Sequence, residues 1–220
     1  MGTITRTFAN NITTSGVFKP TAFNNASFDN VTAVPSGSLP AGGSMVLLST
    51  QTASASTSIS FTSGLTSTYK EYMFIFNNIH PATDNVSFQF NLSTDGGSNY
   101  NVTKTTTHFQ AYHYEADTFT DLRYLSGNDL AQSTSYQDII SEQGNANDES
   151  TSGTLHLFNP SDTTYVKHFL TNFNMYNWDN LTMNNYVAGY ANTTSAINAI
   201  DFKFSSGNID AGTIQMFGIL

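Results

Sequence analysis

Apolar and polar residues alternate in short runs from residue 45 to the end of the chain. The clearest run covers residues 86–92 (VSFQFNL). A period of two is typical of a β-strand that has one face in the core, and clusters of Asn, Asp, Gly, Ser and Thr separate the runs. The pattern predicts an all-β protein. The side chains expected to point from this run into the core are Val86, Phe88, Phe90 and Leu92.

The runs also predict an order of strands. Residues 72–76 are apolar on both faces, which indicates a central strand, and the turn at 93–98 predicts a hairpin between 86–92 and 100–103. Residues 143–153 are expected to form a polar loop. We therefore expect an antiparallel β-sandwich, jelly-roll or lectin-like, with the last strand near the first. The predicted strands span 45–49, 58–61, 72–76, 86–92, 100–103, 107–114, 122–125, 153–158, 165–173, 186–190, 200–204 and 213–219.

Residues 1–44 show no such period. Their large apolar side chains are spaced irregularly between Asn, Thr and Ser, and the stretch closes with a Pro- and Gly-rich segment at 35–43. A segment of this kind buries little on its own, so it is either disordered or docked onto a neighbour or onto its own body. We expect an extended N-terminal docking arm and linker at 1–44, followed by the β-sandwich domain at 45–220. The candidate docking side chains of the arm are Phe8, Phe18, Phe23 and Phe28.

Composition narrows the possible partners. Only 10% of residues are charged, against a usual share of about 25%. Seven Lys and Arg face 16 Asp and Glu, for a net charge of -9, so binding to nucleic acid or to an anionic membrane is disfavoured. The absence of cysteine excludes a disulfide framework. No apolar run resembles a signal peptide or a membrane span, which predicts synthesis in a cytoplasm.

The histidines do not suggest a metal site. His108 and His113 are five residues apart, so on one strand they face opposite sides of the sheet. His113 and Glu115 share a face but lack a third ligand. We predict neither metal nor cofactor. His80 is expected in a loop, and His156 and His168 on the polar faces of strands.

Acidic residues are expected to serve turns. Asp95 and Asn99 offer oxygens to a calcium ion, but the turn at 93–98 itself requires Asp and Gly. A glycosidase needs two carboxyl groups on facing strands. No nucleophile elbow, phosphate-binding loop or serine triad spacing occurs either, so we predict a protein that is not an enzyme. The acids placed in predicted turns are Asp84, Asp121, Asp129, Asp148, Glu149 and Asp162.

Three aromatic residues surround an Asn-rich segment at 174–186 that is predicted to be a loop. They are Tyr176, Trp178 and Tyr186. Aromatic faces beside amides commonly stack on sugar rings, so a glycan-binding edge is one interpretation. The other interpretation is that these rings pack across a subunit interface or cap one end of the sandwich.

Several stretches resemble virion structural proteins of tailed phages that infect marine bacteria and cyanobacteria. They are residues 1–10 (MGTITRTFAN), 47–56 (LLSTQTASAS), 78–84 (NIHPATD), 100–107 (YNVTKTTT), 157–169 (LFNPSDTTYVKHF) and 204–214 (FSSGNIDAGTI). The resemblance implies a particle component and brings no catalytic or cofactor residue with it.

The resemblance therefore implies a non-enzymatic protein made in the host cytoplasm and placed on the virion surface. It is expected to be either a capsid decoration (cement) protein or a short fibre or tail appendage, anchored by its arm. Its partners would be the major capsid protein or tail and portal components. By analogy with fibres and decorations we expect a homotrimer. The alternative is a lectin-like module of a tail fibre that binds a host receptor or surface glycan.

Overall fold

The computed structural model describes residues 44–220, and this part of the chain contains twelve β-strands and no helix. Every strand pairing is antiparallel, which confirms the predicted fold class. The strands are β1 (Met45–Thr52), β2 (Ile59–Phe61), β3 (Glu71–Pro81), β4 (Val86–Ser93), β5 (Lys104–Tyr114), β6 (Thr120–Tyr124), β7 (Gln137–Gln143), β8 (Thr151–Phe158), β9 (Lys167–Asn177), β10 (Leu181–Ala191), β11 (Ala199–Phe204) and β12 (Ile209–Ile219).

The strands form two layers. All twelve strands are connected in one sheet that we divide into two parts: the large sheet, with the order β1-β12-β3-β8-β9-β10-β5-β6, and the small sheet, with the order β7-β4-β11-β2. A single residue pair, Gln143 of β7 opposite Asn177 of β9, joins the two sheets. The last strand lies beside the first, and β3 has a neighbour on each side, as the sequence predicts.

An aromatic core fills the space between the layers. Phe202 of the small sheet lies near its centre, and its ring packs against Phe74 and Phe76 of the large sheet at centroid distances of 5.6 and 4.9 Å. The predicted inward residues of β4 are all buried, at 5% exposure or less. Their alternation with polar neighbours places one face of β4 in this core.

Close packing between strands depends on a glycine in β8. A Cβ at Gly153 would clash with the backbone oxygen of Asn172 and lie 2.5 Å from Cγ of Phe173. Residue 153 pairs with Phe173 of β9. The missing side chain therefore lets β8 and β9 pair beside the Phe173 ring.

Strand β7 was not predicted from the sequence. Its two adjacent isoleucines, Ile139 and Ile140, break the period of two, yet both are fully buried. The register between β4 and β7 shifts on both sides of Phe88. These irregularities let consecutive side chains reach the core, which a pattern of strict alternation does not anticipate.

The predicted hairpin between 86–92 and 100–103 is wrong. Residues 100–103 form no strand, and β4 pairs with β7 on one side and β11 on the other. Because both edges of β4 are occupied, the backbone of the following segment makes one long bond to β4, from Val102 N to Leu92 O at 3.4 Å, while Thr103 O accepts from Asn192 N at 2.7 Å.

Two polar residues expected in a loop or turn lie in strands. His80 is in β3, which continues to Pro81 past an irregularity where Asn78 adopts a φ of 50°. Asp121 is in β6, which begins at Thr120, two residues before the start of the strand predicted at 122–125. The loop predicted at 143–153 is shorter, since β7 ends at Gln143 and β8 begins at Thr151.

Candidate interaction surface

The outward side of the large sheet brings together apolar side chains that are distant in sequence. Strand register aligns Leu47 with Phe217, Phe217 with Met73, and Met73 with His156. The row continues from His156 to Leu170 and from Leu170 to Ala188. We call this surface the outer apolar face. Its large apolar members are Met45, Leu47, Met73, Ile75, Phe109, Leu122, Tyr124, Phe158, Leu170, Tyr186, Phe217 and Ile219.

Several members of the outer apolar face are open to solvent. Leu47 and Leu170 are each 51% exposed, and Leu122 is 69% exposed. The rings of Phe109 and Tyr186 stack with centroids 4.9 Å apart and planes at 14°. Large exposed apolar side chains that gather on one side of a protein commonly mark an interaction site. The face therefore has the character of a contact surface.

Two polar side chains on this face are paired with each other. Nδ1 of His156 lies 2.6 Å from Oε1 of Glu71, and both side chains are about one-third exposed. The hollow beside them, lined by Phe109, Leu170 and Tyr186, has a volume of about 450 Å³. No nucleophile paired with a base lines it, and its walls are mainly aromatic and aliphatic.

The structure separates the three aromatic residues singled out above. The segment 174–186 is not a loop but the end of β9, a tight turn at 178–180 and the start of β10. Tyr176 lies opposite Thr182, and Tyr186 lies opposite Asn172, four residues further along the strand, roughly 13 Å away. The asparagines of this hairpin, some on its outward side and two buried (Asn177 and Asn185), explain why the sequence resembles a loop.

Each of the three rings has different neighbours. Tyr176 lines an open hollow with His113, Glu115 and Asn174. Trp178, which is 47% exposed, lines a separate hollow with Arg123, while Tyr186 belongs to the outer apolar face. The structure therefore brings Tyr176 and Trp178 to one end of the sheet and places Tyr186 away from them.

A layer of buried polar side chains lies beneath β5 and β10. His108 is fully buried, and its Nε2 lies 3.2 Å from Oδ1 of Asn185; burial lowers the pKa of His108, and the contact with Asn185 partly opposes this. His113 points to the opposite side and lies 3.0 Å from Asp117. The prediction that the two histidines face opposite sides is confirmed.

The turn after β4 uses the oxygens of Asp95 for its own hydrogen bonds. Asn99 donates to Asp95 through its side-chain nitrogen at 2.7 Å and its backbone N–H at 2.9 Å, and Ser93 Oγ donates at 2.7 Å. These bonds, chiefly the one from the Asn99 side chain, lower the pKa of Asp95 to about 2. The arrangement explains Asp95 as a residue that closes the turn.

Within residues 44–220, no group of three or more His, Cys, Asp or Glu side chains is arranged to hold a metal ion. The same stretch has no helix long and apolar enough to cross a membrane. The candidate docking residues Phe8, Phe18, Phe23 and Phe28 lie outside the described residues.

Comparison with protein-family models, with curated proteins and with solved structures gives no match for this chain. The fold is that of an all-β, antiparallel, sandwich-like protein. Its main surface feature among the described residues is the outer apolar face.

Proposed function

We propose that this chain is a non-enzymatic structural protein on the surface of a tailed-phage virion. The observation that carries the proposal is the outer apolar face, which extends in one row from Leu47 to Ala188. An extended apolar sheet face suits assembly with other proteins, whereas catalysis needs convergent reactive groups in a cleft. The resemblance of the sequence to phage virion proteins is the reason for proposing a location on the virion.

Self-association is the part of the proposal that the face supports most directly. Burying apolar surface contributes roughly 25 cal/mol per Å², and Leu170, Phe109 and Leu47 each leave a large part of their side chain available. A homotrimer is the assembly we propose, by analogy with fibres and capsid decorations.

Charge substitution on the face tests self-association. We expect Leu170→Glu to shift the sedimentation profile of the purified protein from trimer to monomer. The matched control is Ser206→Glu, which adds the same charge at an exposed position in the turn between β11 and β12. Unchanged trimers with Leu170→Glu, or a monomeric wild type, would count against assembly through this face.

The virion role includes anchoring by residues 1–44 to the major capsid protein or to tail or portal components. The test is rebinding to particles stripped of this protein, with the full-length chain and a truncated chain lacking residues 1–44. Rebinding of the full-length chain alone to capsids indicates an arm-anchored decoration protein. Rebinding to isolated tails indicates a fibre or appendage, and failure of both proteins to rebind contradicts the virion role.

A second candidate function is a lectin-like module that binds a host receptor or surface glycan. The observation that favours it is the hollow of about 410 Å³ where the Tyr176 ring stands beside Asn174 and Glu115. Aromatic faces next to amide and carboxylate groups suit sugar rings. Loss of glycan-array or cell binding in Tyr176→Ala and Trp178→Ala, with intact assembly, would favour this function, and loss of assembly would favour the structural one.

A further inference from the structure

A lysine and an asparagine from different layers of the sandwich meet in a fully buried contact. Lys104 begins β5 of the large sheet, Asn91 lies in β4 of the small sheet, and neither side chain is exposed. Nζ of Lys104 lies 2.5 Å from Oδ1 of Asn91 and 2.9 Å from the backbone oxygen of Val102. Within residues 44–220, Lys104 forms no ion pair with a carboxylate.

Three hydrogen bonds fix the orientation of the Asn91 amide. Its nitrogen donates to the backbone oxygens of Tyr100 at 2.7 Å and Thr134 at 3.0 Å. Its oxygen accepts from the backbone N–H of Leu92 at 2.9 Å. Because the nitrogen is held by two acceptors, the carbonyl side of the amide faces the lysine.

The environment suits the lysine to act as a nucleophile. Burial lowers the pKa of Lys104 to about 7, so a large share of the amine is unprotonated near neutral pH. The N–H of Leu92, already bonded to the Asn91 oxygen, would stabilise the negative charge that develops there during attack on the carbonyl carbon.

A carboxylate stands on the same side of the small sheet. Asp201 of β11 pairs directly with Asn91 in register, and such partners have Cβ atoms about 5 Å apart. Asp201 is 3% exposed and accepts hydrogen bonds from Ser60 Oγ and, at 2.9 Å, from Tyr136 OH. Its two oxygens are held by these hydroxyl groups, so it is a neighbour of the Asn91 position in the sheet and makes no hydrogen bond to Lys104 or to the amide.

We propose that Lys104 and Asn91 join in an intramolecular isopeptide bond. Nζ of Lys104 forms a bond to Cγ of Asn91, and the bond from Cγ to Nδ2 breaks. One proton of the amine passes to Nδ2, which leaves as ammonia, and Nζ keeps one hydrogen as a secondary amide. The reaction is a transamidation that needs no oxidant, reductant or further reactant.

The bond would connect β4 to β5 and therefore the small sheet to the large sheet. The chain has no cysteine, so it cannot make this connection by a disulfide. A covalent link between the layers limits how far the unfolded chain can expand, which is the usual account of cross-link stabilisation.

Mass spectrometry of the purified full-length protein tests the proposal. We expect an intact mass lower than the sequence mass by one ammonia. Trypsin cuts after Lys and Arg, and an acylated Lys104 resists it, so digestion after denaturation should give one peptide of residues 71–123, also lighter by one ammonia. An intact mass equal to the sequence mass, or separate peptides 71–104 and 105–123, would overturn the proposal.

Variants locate the reacting groups. We expect Lys104→Met to show no loss of ammonia. The control is Lys167→Met, because Lys167 is equally buried but donates to the backbone oxygen of Thr193 rather than to an amide side chain. Lys167→Met should keep the cross-linked peptide, and persistence of the ammonia loss in Lys104→Met would refute the assignment. The wild-type peptide map decides the matter even where a variant fails to fold.

Discussion

A variant that lacks the Phe202 ring should unfold at a much lower denaturant concentration than the wild type. The ring is fully buried and lies within 4.9–6.5 Å, centroid to centroid, of Phe61, Phe74, Phe76 and two phenylalanines of β4. It therefore contacts both layers of the sandwich. A Phe202→Ala substitution removes these contacts and leaves a cavity that the surrounding β-strands are poorly able to close.

The magnitude follows from the packing. Truncation of a buried Phe to Ala typically costs about 3–5 kcal/mol. Each aromatic pair adds about 0.5–1.5 kcal/mol beyond the buried area, so Phe202→Ala belongs at the upper end of that range. We expect a loss of about 4–5 kcal/mol in the free energy of unfolding.

Equilibrium urea denaturation, followed by far-ultraviolet circular dichroism, measures this loss. The matched control is Phe119→Ala, since Phe119 is 54% exposed in the segment between β5 and β6 and should cost less than about 1 kcal/mol. A loss below about 1.5 kcal/mol for Phe202→Ala, or equal losses for the two variants, would refute the view that the core centres on Phe202.

Three further substitutions test local features by the same urea titration. Gly153→Ala should lower the unfolding free energy by about 1–3 kcal/mol, because the Cβ of the alanine would clash with the backbone of Asn172. Unchanged stability would show that β8 and β9 can move apart at no cost. Tyr72→Phe should lower the unfolding free energy by about 1–3 kcal/mol, because the buried hydroxyl donates to Thr66 O and accepts from Thr66 N, both at 2.8 Å. An unchanged unfolding free energy would contradict this role of the hydroxyl. The folded-state pKa of Asp95, about 2, is below its ordinary 3.8, so its contribution is present above pH 4 and is lost as pH falls toward 2. Asp95→Asn should reduce the fall in stability over that window, and an identical acid profile would exclude the turn as a source of acid sensitivity.

The alternation of apolar and polar residues correctly predicted those strands whose side chains alternate between core and solvent. It failed where a strand depends on pairing with a distant part of the chain. The run at 86–92 needed no other information, since its four apolar residues share one face. Strand β7 was missed because the irregular register beside Phe88 buries Ile139 and Ile140 together. The hairpin to 100–103 was predicted from its turn, but both edges of β4 are taken by strands that come later in the chain.

The outer apolar face could not be predicted from the sequence for the same reason. Leu47, Met73 and Leu170 belong to separate strands, and the strand order that aligns them is a long-range property. Single exposed apolar residues are ordinary, and they attract notice only once register places them in one row. The contact between Asn91 and Lys104 likewise had no local signal, because the sequence does not reveal that β4 and β5 lie in opposite layers.

The edge strand β6 carries charges that affect whether a further strand can add to the large sheet. Within residues 44–220, β6 pairs only with β5, and an edge strand of this kind invites another strand to add on. Asp121 and Arg123 lie on the inward side of this edge, opposite Tyr112 and Gln110, and Arg123 sits 5.0 Å from the Tyr112 ring. A strand that extended the sheet here would have to cover both charges. The two charges therefore disfavour extension of the sheet by a further strand at this edge.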